Sequence, residues 1–292
     1  MKYKGILAAM LVAAQLSAVH AEDHMVFKVI DGKRYWYENG ERQGVYGDKK
    51  NIVDLEYGME RGREIYDPAT NAWYWLDAVY DGAAATDKEV WMPYVFQDEE
   101  NGITDGKWVR YDSNGAMVKG WYTNENGRYY YDLVTGEMIK GNYTIQGEVY
   151  FFDPVTGLCQ GLAPRSIGPG HPWYELAVQW SGISEYTCEY WAEKFSRATV
   201  GFAEHSFSPN MYEITREEVR PGDMIGYYSG YSGVWHVCIY LSDTRAFHGN
   251  YFVNGKAQTV IAEWPSPGAG EVHFFRCNHN SPLVESMIYF GW

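Results

Sequence analysis

The chain has 292 residues and carries 38 acidic against 24 basic side chains, a formal net charge of −14 at pH 7. Nucleic acid is an unfavourable partner for such an acidic protein, because its phosphates would be repelled. Four cysteines are too few for a disulfide scaffold in a chain of this length. Aromatic residues make up 17% of the sequence, and their uneven distribution divides the chain into regions of different character.

The first 21 residues have the layout of a secretory signal peptide. Two lysines, Lys2 and Lys4, precede an apolar run, and short side chains stand at Val19 and Ala21. We therefore predict a signal peptide over residues 1–21 and a secreted protein. The apolar run is too short for a membrane span, and no other uncharged stretch of spanning length follows, so no membrane span is expected.

Residues 22–162 contain an aromatic repeat with a period of about 20 residues. The segments 120–141 and 141–161 both run glycine, aromatic residue, turn, glycine, aromatic triplet, aspartate, turn, glycine. One period is the size of a β-hairpin with its connection, and a single hairpin cannot bury its aromatic face alone. The pattern predicts a solenoid-like stack of β-hairpins in this region.

These repeats closely resemble the cell-wall-binding repeats of secreted Gram-positive proteins, a group that includes choline-binding and glucan-binding modules. In choline-binding members, aromatic side chains cage a quaternary ammonium by cation–π attraction. The resemblance implies cell-wall association, with peptidoglycan and a cell-wall polymer as partners and either choline or a glycan as the repeat ligand. Alternatively, the rings only hold the hairpins together. The matching aromatic positions are Trp121, Tyr129, Tyr130, Tyr143 and Tyr150.

A different pattern begins after the repeats. Residues 163–172 contain three prolines and two glycines and are predicted to be a linker. From residue 173 to residue 292, two segments with helical spacing precede several strand-like runs separated by turns. Helices followed by an antiparallel sheet predict an α+β domain. The chain is thus expected to be multidomain, with β-hairpin repeats first and an α+β domain second.

Cys188 opens the second predicted helix, and Thr187 is its predicted N-cap. The positive end of the helix dipole and the unpaired amides at this position favour a thiolate. His236 lies on a predicted strand, where it shares a face with Cys238 and Tyr240. Packing of the helix on this sheet would bring a thiol nucleophile and a base together.

His248 follows His236 by twelve residues, across a turn and on the next predicted strand. From there a ring nitrogen can hydrogen-bond His236 and set its tautomer. Asn250 shares the predicted strand face of His248 and is the alternative orienting group.

The segments TCEYWA, VRPGDMIGYY, HVCIYL and FHGN resemble those of NlpC-like cell-wall peptidases and the related CHAP amidases, which are papain-like cysteine hydrolases with an α+β fold. The resemblance covers roughly residues 173–277. It implies that Cys188 is the nucleophile, His236 the general base and His248 the third polar group, in an enzyme that cleaves an amide bond of peptidoglycan. An endopeptidase is favoured over an amidase.

Two alternatives stay open at this point. NlpC-like enzymes usually have Asp-Cys-Ser-Gly at the nucleophile, where this chain has Thr187-Cys188-Glu189-Tyr190, so the bond that is cut is left undetermined. The rival interpretation is a non-catalytic surface adhesin or glycan-binding protein whose papain-like domain is inactive.

No metal and no cofactor are expected, because the remaining histidines show no metal-ligand spacing with one another. A catalytic Cys188 must stay free, which leaves at most one disulfide among the other three cysteines. Cys238 with Cys277 is the first choice, since both lie in strand-like segments of one domain.

Overall fold

The computed structural model describes residues 25–53, 59–93, 106–200, 211–230, 232–266 and 268–277. The predicted signal peptide lies outside these residues. The chain divides into two compact units: residues 1–90 with 109–118, and residues 91–108 with 119–292. Neither of the α-helices in the described ranges is long and apolar enough to cross a membrane.

The first unit is built on a seven-stranded antiparallel sheet with the order β1-β2-β7-β6-β5-β4, in which β3 pairs with β2. Its aromatic core contains Phe27, whose ring lies edge-on to Trp36 and Tyr74 at centroid distances of 4.9 and 4.7 Å. A 3-10 helix, Ala78–Tyr80, follows β6. The strands are β1 (Met25–Ile30), β2 (Lys33–Glu38), β3 (Glu41–Arg42), β4 (Ile52–Val53), β5 (Glu60–Asp67), β6 (Ala72–Asp77) and β7 (Ala83–Ala84).

Successive β-hairpins follow, as the aromatic repeat predicts. Strands β8 (Lys88–Pro93) and β9 (Gly106–Tyr111) form one pair, β10 (Gly120–Asn124) and β11 (Gly127–Tyr131) a second, and β12 (Gly141–Ile145), β13 (Glu148–Phe152) and β14 (Cys159–Leu162) a three-stranded sheet. The last two repeats share one register, with Gly120 opposite Tyr131 and Gly141 opposite Phe152. Asp132 and Asp153 close equivalent turns by accepting backbone N–H hydrogen bonds. The hairpin-repeat prediction is confirmed for these strands, whereas β1 to β7 form one seven-stranded sheet instead of separate hairpins.

Two helices, α1 (Pro172–Gln179) and α2 (Cys188–Thr199), precede a six-stranded antiparallel sheet. Its strands are β15 (Met211–Ile214), β16 (Met224–Tyr228), β17 (Trp235–Tyr240), β18 (Arg245–Val253), β19 (Lys256–Glu263) and β20 (Val272–Cys277), in the order β15-β20-β16-β17-β18-β19. One face of the sheet packs on α2, where Phe195 and Phe247 are fully buried. The opposite face buries Cys238 and Tyr240. Helices before strands is the predicted order, and kinship with papain-like enzymes stays a prediction.

The segment 163–172 is packed, although its prolines and glycines predict a linker. Ile167 is buried in the core between α2 and the sheet, and its N–H donates to the carbonyl of Leu241 at 2.8 Å. Strands β10 to β14 also belong to the same compact unit as the six-stranded sheet. The prolines and glycines predict an unpacked linker. Burial of the Ile167 side chain instead packs this segment against the sheet.

The last repeat reaches the six-stranded sheet through a buried polar network. Arg276 on β20 donates from Nε and Nη2 to the two carboxylate oxygens of Asp223, at 3.0 and 2.8 Å, and both side chains are at most 2% exposed. Arg276 also donates to Oγ1 of Thr144 on β12 at 3.1 Å. Asn142 on β12 donates to the carbonyl of Pro221 at 3.1 Å. The VRPGD turn is therefore held by an ion pair and by the repeat that precedes it.

Asp223→Ala should lower the free energy of unfolding by about 3–5 kcal/mol, because it leaves the Arg276 charge buried without its partner. Glu263→Ala is the matched control, since it removes the carboxylate from the exposed Arg245 pair at 3.8 Å and should cost at most about 1 kcal/mol. Urea unfolding measures both. Equal small losses would contradict the importance of the buried pair.

The predicted Cys238–Cys277 disulfide is wrong, because Cys238 is a free thiol. Strand β16 lies between β17, which carries Cys238, and β20, which ends at Cys277. Two strand spacings amount to about 9–10 Å, whereas the Cα atoms of a disulfide are at most about 6.8 Å apart. Cys159 and Cys188 are free as well.

Candidate functional site

The nucleophile candidate is held by a well-defined helix start. Cys188 is the first residue of α2, and Oγ1 of Thr187 accepts the N–H of Tyr190 at 3.2 Å, which confirms the predicted N-cap. The indole N–H of Trp191 donates to the carbonyl of Glu185 at 2.7 Å. These two hydrogen bonds hold the segment before α2 and the first turn of the helix in place.

The two histidines meet on the sheet face opposite α2. Cys238 on β17 pairs with His248 on β18, and His236 stands two residues before Cys238. Nε2 of His236 and Nδ1 of His248 are 2.9 Å apart. Asn250, two residues after His248, is exposed, has φ of 49° and lies where the β18–β19 register shifts. Asn250 was the alternative group to orient His236, because regular strand alternation would place it on the face of His248. The register shift interrupts this alternation, and His248 is the group that contacts His236.

Cys188 and His236 line the same cavity, whose volume is about 440 Å³. Asn250 and Tyr251 contribute to its wall. The sulfur of Cys188 accepts hydrogen bonds from backbone N–H groups, among them that of Val237, the neighbour of His236. The predicted nucleophile and base therefore face one space, although 48 positions separate them in the chain.

Burial determines the protonation of all three groups. It raises the pKa of the Cys188 thiol, and the backbone N–H donors oppose this. Burial lowers the pKa of His236 to about 4. The pKa of His248 lies well below its usual range, mainly because the residue is buried and secondly because His236 is close to it. At neutral pH the site holds a neutral thiol and two neutral imidazoles. A thiolate was expected at the helix start, but here desolvation outweighs the amide donors.

Gly249, next to His248, lets β18 approach α2 closely. A Cβ atom at this position would lie 2.6 Å from Cβ and 2.9 Å from Cδ1 of Trp191. Trp191 belongs to the same helix as Cys188. The glycine of the FHGN segment therefore sets the distance between the nucleophile helix and the histidine strand.

Gly249→Ala should destabilise the protein by about 1–3 kcal/mol, because the added methyl group forces α2 away from β18. Gly168→Ala is the matched control, since a Cβ atom there meets nothing within 4 Å. Urea unfolding of the two variants measures the difference. A Gly249→Ala protein as stable as the Gly168→Ala protein would contradict the close contact.

Four of the five predicted repeat aromatics form one cluster. The Trp121 ring lies 5.2 Å from both Tyr130 and Tyr150, and Tyr130 lies 5.9 Å from Tyr143. Tyr129 alternates with Tyr130 on β11, and its ring approaches Tyr122 at 6.5 Å instead. The cluster packs with buried side chains of the hairpins, so its rings contribute to the hairpin core.

A cation of the chain itself covers part of this cluster. The guanidinium carbon of Arg128 lies 4.0 Å from the centroid of the Trp121 ring. Arg128 and Tyr130 share a face of β11, and Tyr130 is opposite Trp121, so Arg128 is the diagonal neighbour of the indole. Sequence reasoning did not include Arg128, although the hairpin register alone could have indicated it.

Cys238 is a second group that the sequence placed correctly but left without a role. It shares the strand face of His236, as predicted, and one donor atom from each of His236, Cys238 and His248 lies within 4.8 Å of the others. The sequence prediction of no metal site did not take these three residues as a group.

Residues 103–143 match the family model described as a choline-binding repeat. No curated protein matches the chain. The crystal structure of the modular Cpl-1 endolysin complexed with a peptidoglycan analogue aligns at 19% identity and a TM-score of 0.29, over 47% of this chain and 31% of that one. The structure of CbpJ from Streptococcus pneumoniae TIGR4 aligns at 25% identity and a TM-score of 0.20, over 50% and 54%. Choline binding protein F from Streptococcus pneumoniae aligns at 23% identity and a TM-score of 0.19, over 50% and 53%.

The chain thus spans about a third of that endolysin and about half of the other two proteins. The match to the choline-binding repeat covers residues 103–143, which is less than half of the chain.

Proposed function

We propose that the chain is a secreted cysteine hydrolase of papain-like type, which cleaves an amide bond of peptidoglycan and is held on the cell wall by its aromatic repeats. The observation that carries the proposal is that a helix-start thiol and His236 line one cavity, and that His248 is hydrogen-bonded to His236. An endopeptidase is favoured over an amidase.

In the proposed reaction, Nδ1 of His236 accepts the thiol proton of Cys188, because Nε2 of His236 is already bonded to His248. Nε2 of His236 then carries a hydrogen and donates it to Nδ1 of His248. The remaining nitrogen of His248, Nε2, carries its own hydrogen. The backbone carbonyls of Ala262 and Glu263 favour this proton, although Nε2 makes no hydrogen bond of ordinary geometry among the described atoms. His248 is thus a positioning residue that selects the tautomer of His236.

The sulfur of Cys188 forms a bond to the amide carbonyl carbon, and the carbonyl oxygen becomes an oxyanion. Backbone N–H groups of Cys188, Glu189 and Val237 lie around the sulfur and are the donors nearest to this charge. The imidazolium of His236 gives its proton to the leaving nitrogen as the C–N bond breaks. Water, deprotonated by His236, then hydrolyses the thioester and restores the thiol. Because thiol and imidazole are both neutral at rest, deprotonation accompanies attack.

Cys188→Ala should reduce the release of soluble fragments from purified peptidoglycan by at least about 10³-fold, because it removes the nucleophile. Mass spectrometry of the released fragments measures the loss and identifies the bond that is cut. Co-sedimentation with insoluble peptidoglycan should be unchanged. Cys159→Ala is the matched control, since Cys159 packs with the repeat aromatics, and it should keep turnover. Turnover that survives Cys188→Ala would refute the assignment.

A cell-wall-binding protein without catalysis is the second candidate function. One observation favours it: burial raises the pKa of Cys188, which reduces the thiolate fraction. In this case the unmodified protein would co-sediment with peptidoglycan and release no fragments. The fragment assay therefore separates the two functions directly.

The repeats would contribute binding through the Trp121 cluster, in which Arg128 competes with a quaternary ammonium for the same ring face. Arg128→Gln should raise the affinity for choline about two- to fivefold, since an exposed cation–π contact contributes about 0.5–1 kcal/mol. Trp121→Leu should lower the affinity, because it removes the ring. Calorimetric titration with choline chloride measures both changes. Weaker binding by Arg128→Gln would mean that the arginine itself contacts the ligand.

A further inference from the structure

The hydrolysis described above does not use Cys238, yet this residue stands beside both histidines. His236 and Cys238 project from the same face of β17, and His248 lies opposite Cys238 on β18. One donor atom from each lies within 4.8 Å of the others. Cys238 and His248 have no exposed surface, whereas His236 lines the 440 Å³ cavity. A free thiol and two imidazoles thus converge at the inner end of an accessible space.

We propose that His236, Cys238 and His248 bind a zinc ion, which switches the hydrolase off. Two imidazole nitrogens and one thiolate are a donor set that zinc prefers over harder cations such as magnesium or calcium. Three protein ligands leave the fourth tetrahedral position for a water molecule from the cavity. No other group of three described His, Cys, Asp or Glu side chains converges in this way.

The spacing of the three donors suits such an ion after small side-chain rotations. Zinc bonds of about 2.0–2.3 Å place neighbouring tetrahedral donors about 3.3–3.6 Å apart. The two histidine nitrogens are 2.9 Å apart, and the three-donor set spans at most 4.8 Å. The required separations lie between these two values. The β17–β18 pairing fixes the backbone of Cys238 and His248, and the β16–β17 pairing fixes that of His236. The change is therefore confined to side-chain torsions.

Zinc binding and hydrolysis exclude one another at this site. The ion would replace the hydrogen bond between His236 and His248, and His236 could no longer accept the thiol proton of Cys188. Cys238 binds as a thiolate, so its proton is released to solvent. The inhibition rests on the proposed hydrolase function, whereas the binding of the ion does not.

Cobalt(II) replaces zinc as a spectroscopic probe of the ligands. The metal-free protein titrated with Co²⁺ should develop a thiolate-to-cobalt charge-transfer band in the near ultraviolet. The band should persist in Cys188→Ala and disappear in Cys238→Ala. Absence of the band from the unmodified protein would overturn the proposal. So would a band that is lost in Cys188→Ala and kept in Cys238→Ala, because the neighbouring cysteine would then be the ligand.

Because Cys238 is fully buried, its replacement can impair folding, and a measurement on the unmodified protein is needed as well. X-ray absorption of the zinc-loaded protein should show one sulfur in the first shell, with nitrogen or oxygen for the rest. Two sulfurs or none would overturn the site.

Fragment release from peptidoglycan tests the inhibition. One equivalent of Zn²⁺ should stop it, and a chelator should restore it. Unchanged release by a zinc-saturated protein would contradict the switch. A protein that releases no fragments under any condition would refute the hydrolase function, and the cobalt spectrum would still decide the metal site.

Discussion

The antiparallel register of β17 against β18 is the constraint on which the candidate site depends. Cys238 lies opposite His248, so His236, two positions away on the same face, can meet His248 at 2.9 Å. A slip of one residue would turn His248 toward α2. Phe247 occupies that face instead, where it is fully buried and packs on Phe195 at a centroid distance of 4.9 Å. Apolar packing on one face of the sheet thus determines the chemistry available on the other.

The same sheet is also held by hydrogen bonds from a part of the chain that belongs to the repeats. Thr144 and Asn142 on β12 hydrogen-bond to Arg276 and to the VRPGD turn. Because that turn leads into β16, the central neighbour of β17, the last hairpin supports the strand that positions His236. In the proposed hydrolase, the polar side chains of β12 would have a structural role, and the aromatic Trp121 cluster would contact the wall.

Much of the local structure could be predicted from the sequence, because it is determined by neighbours along the chain. The glycine and aromatic period indicated the hairpins, Thr187 indicated the start of α2, and strand alternation placed His236 and Cys238 on one face. What could not be predicted depends on which strands lie side by side. The intervening β16 excludes the Cys238–Cys277 disulfide, and burial of Ile167 packs the predicted linker. Desolvation of Cys188 is likewise a property of the folded core, and it opposes the helix-start effect that the sequence alone suggests.

Attack of Cys188 on a cell-wall amide, as proposed, would form an acyl-enzyme, which can be trapped. The protein would be mixed with soluble peptidoglycan peptides, quenched in acid during turnover and digested for mass spectrometric mapping. The proposed mechanism predicts a thioester adduct on Cys188, whereas Cys159 and Cys238 stay unmodified. Fragment release without any adduct on Cys188, or an adduct on the half-buried Cys159, would contradict it.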